Sequence, residues 1–292
     1  MDIILLLKAL ILGLVEGVTE FLPISSTGHL IIAGDLLNFN DDKGKVFEIV
    51  IQLAAILAVC WEYRKKLMKT ALDLACPYLT NPGHSNQTSQ QSNAYKFVIN
   101  LSLAFLPAAL LGLAFHDAIK AYLFSPLTVA IALIVGGFVI LFIENKSLNA
   151  STSYTEAGIN TSTNHIDNIT RKQAIQIGFA QSLALIPGVS RAGATILGGM
   201  VFGLNRQIAT EFSFFLAIPI MFAATGYDLL KNWRLLAIDD LAMFAVGFIT
   251  AFISALIVIK MLLRFVATHD FKVFAWYRIV FGAIVLVYFW AL

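Results

Sequence analysis

Apolar residues along this chain come in blocks of about twenty, not in the short alternating or every-third pattern of a soluble core. Six blocks, 46–63, 96–115, 126–143, 208–230, 241–263 and 273–292, are long and uniform enough to cross roughly 30 Å of hydrocarbon as helices. Two more, 3–37 and 174–204, are interrupted near the middle by FLPISSTGH and IPGVSRAGAT. Proline and glycine break helices, and unpaired backbone at membrane depth survives only where it is buried in protein or lines a wet cavity. The pattern therefore predicts an all-α polytopic membrane protein with six transmembrane helices and two re-entrant helical hairpins.

Composition turns the pattern into a class. The chain is 59% hydrophobic and 13% charged with a mean hydropathy of +0.80, against roughly 25% charged residues in soluble domains. A net charge of +2 without a basic face argues against a nucleic-acid partner. Cys60 and Cys76 lack metal or redox spacing.

The two interrupted blocks resemble each other at an offset of 165 residues: Ala9, Gly13, Ser25 and Gly28 fall on Ala174, Gly178, Ser190 and Gly193, and Glu16 meets Gln181. A second echo aligns FEIVIQLAAI with TEFSFFLAIP and so Glu48 with Glu211. The expected organisation is one membrane domain of two repeats, 1–144 and 172–292, each with one hairpin (3–37, 174–204) and three spans, joined by a polar cytoplasmic linker over 145–171. Three crossings per half make the repeats inverted, a common transporter architecture. Lysine and arginine bias places Arg64, Lys65, Lys66, Lys69, Lys96, Lys146, Arg171, Lys172, Arg206, Lys260, Arg264 and Lys272 on the cytoplasmic side. The hairpins then enter from opposite sides and their tips can meet near the midplane.

Ionisable groups inside a membrane segment mark function, and EGVTEFLPISSTGHL carries three. Glu16 and Glu20 share one helix face, where two ionised carboxylates repel. A hard divalent cation, Mg²⁺ or Ca²⁺, suits such a pair, being commonly held by one or two carboxylates plus substrate phosphates. After Pro23, Ser25, Ser26, Thr27 and Gly28 present hydroxyls and backbone N–H groups at a helix start, an arrangement suited to phosphate. His29 lies within one turn, near enough to take a proton. The second tip supplies Arg191, whose planar fork of donors matches phosphate oxygens, beside Pro187, Gly188 and Ser190, with Thr195 one turn on. An ion pair from Arg191 to Glu16 or Glu20 is the competing role and is compatible with the first. Arg278, deep in the last span, is expected to pair or snorkel.

EGVTEFLPISSTGHL and PGVSRAGAT resemble the two signature motifs of the bacterial undecaprenyl-diphosphate phosphatases of the bacitracin-resistance type, and the resemblance covers essentially the whole chain. It implies removal of the terminal phosphate from a C55 polyprenyl diphosphate, regenerating the carrier lipid for peptidoglycan. It further implies dependence on a divalent cation, and an active site opening towards the periplasmic face of the cytoplasmic membrane. The acidic motif falls on Glu16 and Glu20, the hydroxyl motif on Ser25 to His29 and the arginine motif on Pro187 to Arg191. Where the family has a second serine after the arginine, this chain has Ala192. The nucleophile stays open among Ser26 activated by His29, His29 itself and water, with the first preferred. The expected partners are the prenyl diphosphate and membrane lipids, and the sequence is compatible with a homodimer. A transporter or flippase of an anionic lipid is the alternative function; an intramembrane Ser-His protease would not need two glutamates beside an arginine.

Overall fold

The computed structural model describes residues 3–75, 87–123, 125–157, 165–232 and 240–291. The chain order is α1 (Ile3–Thr19), α2 (Ser26–Leu36), α3 (Asp42–Glu62), α4 (Arg64–Ala75), α5 (Gln87–Leu123), α6 (Pro126–Ala157), α7 (Arg171–Ser182), α8 (Arg191–Val201), α9 (Arg206–Asn232), α10 (Leu241–Val266) and α11 (Lys272–Ala291). No strand occurs among the described residues. Among the described residues, six helices are long and apolar enough to cross a membrane: Lys43–Glu62, Ser92–Phe115, Pro126–Lys146, Arg206–Lys231, Leu241–Val266 and Lys272–Trp290. These are the six blocks read from the sequence. Large apolar side chains such as Leu110, Leu113, Phe142, Met261, Val287 and Trp290 face outward, where lipid is the natural solvent.

The two interrupted blocks each form a pair of short helices around a non-helical tip, residues 20–25 and 186–190. Proline stops each first helix, because its ring clashes with the carbonyl four residues earlier and it lacks an N–H. Thus α1 ends at Thr19 ahead of Pro23. Ahead of Pro187, α7 tightens into a 3-10 turn, Leu183–Leu185. Both first helices sit unusually close to a long helix of the other half. A Cβ on Gly13 would stand 2.5 Å from the Gly247 carbonyl of α10, and one on Gly178 2.5 Å from the Ala104 carbonyl of α5. Those two glycines are 165 residues apart.

The polar segments are more helical than their composition suggests. Nothing over 145–157 is glycine or proline, and α6 continues through all of it to Ala157. The expected linker at 145–171 therefore begins as helix, and 158–164 lie outside the described residues. Likewise α5 starts at Gln87 within the polar stretch expected as loop, whose beginning at 81–86 is outside them.

Ion pairs segregate to the two ends as the charge bias predicts. Lys66 meets Glu211 (3.1 Å), Lys260 meets Glu62 (3.5 Å) and Arg206 meets Glu144, while Lys43 meets Asp240 (3.0 Å) at the other end. Glu144 is fully buried, takes two donors from Arg206 and also accepts from the backbone N–H of Phe271 (2.9 Å), the residue before α11, so it ties α6 to the start of α9 and to the approach to α11. Glu144→Ala strands a guanidinium and a buried amide at once, and is expected to lower stability by about 3 kcal/mol, readable as a lower melting temperature in detergent.

Candidate functional site

The two tips touch. Ser190 Oγ, on the second, donates to the Leu22 carbonyl of the first (3.2 Å), and Arg191 Nη2 donates to Glu20 Oε1 (2.8 Å). Each tip leads into a helix capped by its own serine: Ser25 Oγ accepts from Gly28 N–H (3.5 Å) and Ser190 Oγ from Gly193 N–H (3.0 Å). The N-termini of α2 and α8, with their free amides and positive dipole ends, thus begin on either side of the Glu20–Arg191 pair. Ser25 holds φ at +72°, a strained conformation for a residue with a Cβ. Gly188 has φ +92° and presses on α6, where a Cβ would meet the Val129 carbonyl at 2.7 Å, so no other residue fits.

Glu20 is the hub. Its Oε2 accepts from Ser26 Oγ at 2.5 Å while its Oε1 holds Arg191. Arg191 is further braced by the Ser213 carbonyl (Nη1, 3.4 Å), by Met221 Sδ (Nη2, 3.1 Å) and by the face of Phe21, 5.7 Å from its guanidinium carbon. Thr195 does not point its hydroxyl at the tip: it donates back to Arg191 O (2.9 Å) and pairs with Ser213 Oγ, supporting the arginine from behind. Thr27 is exposed.

His29 stands beside this cluster with both nitrogens engaged. Its Nδ1–H donates to the Ser25 carbonyl (2.7 Å), which fixes the tautomer and leaves Nε2 to receive the Tyr277 hydroxyl (2.6 Å). Its ring stacks on Phe281 with centroids 4.2 Å apart.

Glu16 lies one turn before Glu20, 1% exposed, and its Oε1 has no hydrogen-bond partner among the described residues. Glu20 and Glu48 both lie within charge range of it. No group of three His, Cys, Asp or Glu side chains able to cage a metal occurs among the described residues. One unpartnered carboxylate oxygen on Glu16 next to an already engaged Glu20 instead fits a divalent cation that completes its shell with substrate oxygens and water.

Sequence reasoning brought Glu16, Glu20, Ser25, Ser26, Gly28, His29, Gly188, Ser190 and Arg191 to one region, and the structure gathers them there. It missed Tyr277 and Ser213. Ser213 was visible as a lone hydroxyl in EFSFFLAIP; Tyr277 carried no signal beyond adjacency to Arg278. Arg278 neither pairs with an acid nor snorkels: it is 2% exposed and binds backbone carbonyls at both tips.

Known proteins agree in outline. A relative from Methylobacillus flagellatus named undecaprenyl-diphosphatase is 62% identical over 99% of this chain and 100% of its own length. Relatives of the same name from Nitrosomonas europaea and Nitrosospira multiformis are 58% and 57% identical, each over 98% of this chain and 95% and 96% of their own. The family model described as bacitracin resistance protein BacA matches residues 9–284, both tips included, so the chain belongs to the BacA bacitracin resistance protein family.

Proposed function

We propose that this chain is a multi-pass membrane phosphatase that hydrolyses undecaprenyl diphosphate to undecaprenyl phosphate and inorganic phosphate, recycling the carrier lipid and thereby conferring bacitracin resistance. The observation that carries the reading is Glu20 held between the Ser26 hydroxyl and the Arg191 guanidinium where two helix N-termini meet. A hydroxyl with a proton acceptor, beside an arginine and backbone amides, is a set of parts for phosphoryl transfer, a reaction that depends mainly on positioning and electrostatics.

Ser26 Oγ attacks the terminal phosphorus while Glu20 Oε2, already bonded to it, takes its proton. This supports Ser26 as nucleophile with Glu20, not His29, as its base, since both His29 nitrogens are engaged elsewhere. Arg191 and the amides opening α2 and α8 bind the phosphoryl oxygens as charge shifts to the bridging oxygen and the prenyl monophosphate leaves. Water then hydrolyses the phosphoserine: as the P–Oγ bond breaks, Glu20 returns its proton to Ser26 Oγ and inorganic phosphate keeps both protons of the water, while His29, held through both ring nitrogens by Ser25 and Tyr277, steadies the start of α2. Glu16 and Glu20 are the residues that would hold Mg²⁺ or Ca²⁺, which when bound would neutralise phosphate charge. Ser25, Gly28, Gly188 and Ser190 shape the anion site. A bacterial inner-membrane location with the site opening to the periplasmic face is what the family resemblance implies and is part of this proposal; the charge bias supports only which helix ends face the cytoplasm.

The test is phosphate release from undecaprenyl diphosphate by the purified protein in detergent, where no compartments exist and transport gives no signal. Release should occur with Mg²⁺ or Ca²⁺, fall at least tenfold with EDTA and return when the cation is restored. A wild-type protein that releases no phosphate under these conditions sinks the reading.

A further inference from the structure

Arg278 on α11 is 2% exposed, and its hydrogen-bond partners among the described residues are backbone carbonyls. A buried guanidinium is unfavourable unless its donors are met, and here four carbonyls meet them. Two belong to α6: Leu133 O accepts from Nε (3.3 Å) and Ala132 O from Nη2 (3.0 Å). The other two belong to the tips: Pro23 O accepts from Nη1 (3.0 Å) and Gly188 O from Nη2 (3.0 Å). Residues 23 and 188 are 165 apart, the offset that relates the two hairpins, and each lies two residues before the serine that caps its helix, Ser25 or Ser190. One side chain therefore grips the corresponding point of both halves.

The grip fixes whole peptide planes. The plane beginning with the Pro23 carbonyl ends in the Ile24 N–H, which donates to Leu22 O (2.8 Å), and Leu22 O is also the acceptor for Ser190 Oγ. The plane beginning with the Gly188 carbonyl ends in the Val189 N–H, bonded to Ile186 O (3.1 Å). With both ends of each plane held, the chain direction into each cap serine is set. The helix behind Arg278 is notched to admit it: a Cβ on Gly136 of α6 would stand 2.1 Å from Nη2.

We infer that Arg278 is a positioning residue that sets the register of the two tips, and through them the placement of Ser26 and Glu20 on one against Arg191 on the other. The inference rests on the phosphatase reading above. It acts through the backbone, so its loss should weaken the chemical step more than substrate capture. A misplacement of about 1 Å can cost about 10²-fold in rate.

The test uses two full-length variants purified in detergent beside the wild type, Arg278→Lys and Gly136→Ala. The first cannot span carbonyls on two tips; the second keeps the arginine and pushes it off its seat. Phosphate release from the prenyl diphosphate is measured against substrate concentration, well below each variant's melting temperature and normalised to folded protein. The expected result in both is a kcat lowered by about 10²-fold with KM changed by less than about threefold. Wild-type kcat in either folded variant, with only the melting temperature lowered, overturns the inference and leaves Arg278 as a structural bolt. Should Arg278→Lys fail to fold, Gly136→Ala decides in the same way. A wild type without phosphate release sinks the phosphatase reading and this inference with it; an active wild type with unimpaired variants sinks the inference alone.

Discussion

Arg191→Lys is expected to lower kcat by about 10²-fold while leaving the protein folded, because charge is kept and geometry is lost. In the structure Arg191 performs several tasks at once: Nη2 meets Glu20, Nη1 reaches the Ser213 carbonyl, and the guanidinium plane lies over Phe21. A lysine ammonium can neutralise Glu20, but its three donors radiate from one nitrogen and cannot hold the carboxylate on one edge while presenting a planar pair of N–H groups to the phosphoryl oxygens on another. The guanidinium has donors for both. Arg191→Ala is a poorer experiment, since Glu20, whose side chain is only 6% exposed, would be left as a buried charge without its partner at a cost of about 3–5 kcal/mol. Steady-state kinetics on the lysine variant, with a melting curve beside it, separate the two effects. Wild-type turnover in that variant would count against the phosphate clamp.

What the sequence revealed, and what it concealed, divides along a physical line. Hydrophobic block length located all six spans, because a bilayer imposes one length on every helix that crosses it. Pro23 and Pro187 located both tips because each falls among Gly, Ser and Thr residues that offer the backbone other partners, whereas Pro107 and Pro219, within uniformly apolar blocks, lie inside α5 and α9 without ending them. Polar composition was a poorer guide at 145–157, where residues that tolerate helix simply carry α6 on to Ala157. Within the site, residue types were legible but pairings were not. Ser26 is six residues from Glu20 and three from His29, so helical spacing favoured the histidine; the turn at 20–25 brings Ser26 back to the glutamate instead. Arg278 was noticed for its depth, yet its role could not be inferred, because every residue has a carbonyl and nothing in the sequence says which four an arginine will find. Ala192 stands where the family pattern has a serine, and it is fully buried and brings no hydroxyl to the tip.

Glu20→Gln is expected to lower kcat by about 10³-fold, within the range that removal of a general base produces. The amide keeps an oxygen to accept from Arg191, so the structure holds, but it cannot receive the proton of Ser26. Ser26→Ala is expected to fall by a similar factor. The sharper test is the double variant. If Glu20 acts only through Ser26, then once either is gone the other has nothing left to contribute, and Glu20→Gln with Ser26→Ala should be no slower than the worse single variant by more than about threefold, the non-additivity of residues working as one unit. If instead the losses multiply, the two act in separate steps, Glu20 through the phosphate clamp or the cation, and the proton of the attacking group goes elsewhere. His29 is then the remaining acceptor, and Tyr277→Phe, which frees Nε2 of its hydroxyl partner, should change the pH dependence of turnover in that case far more than in the first.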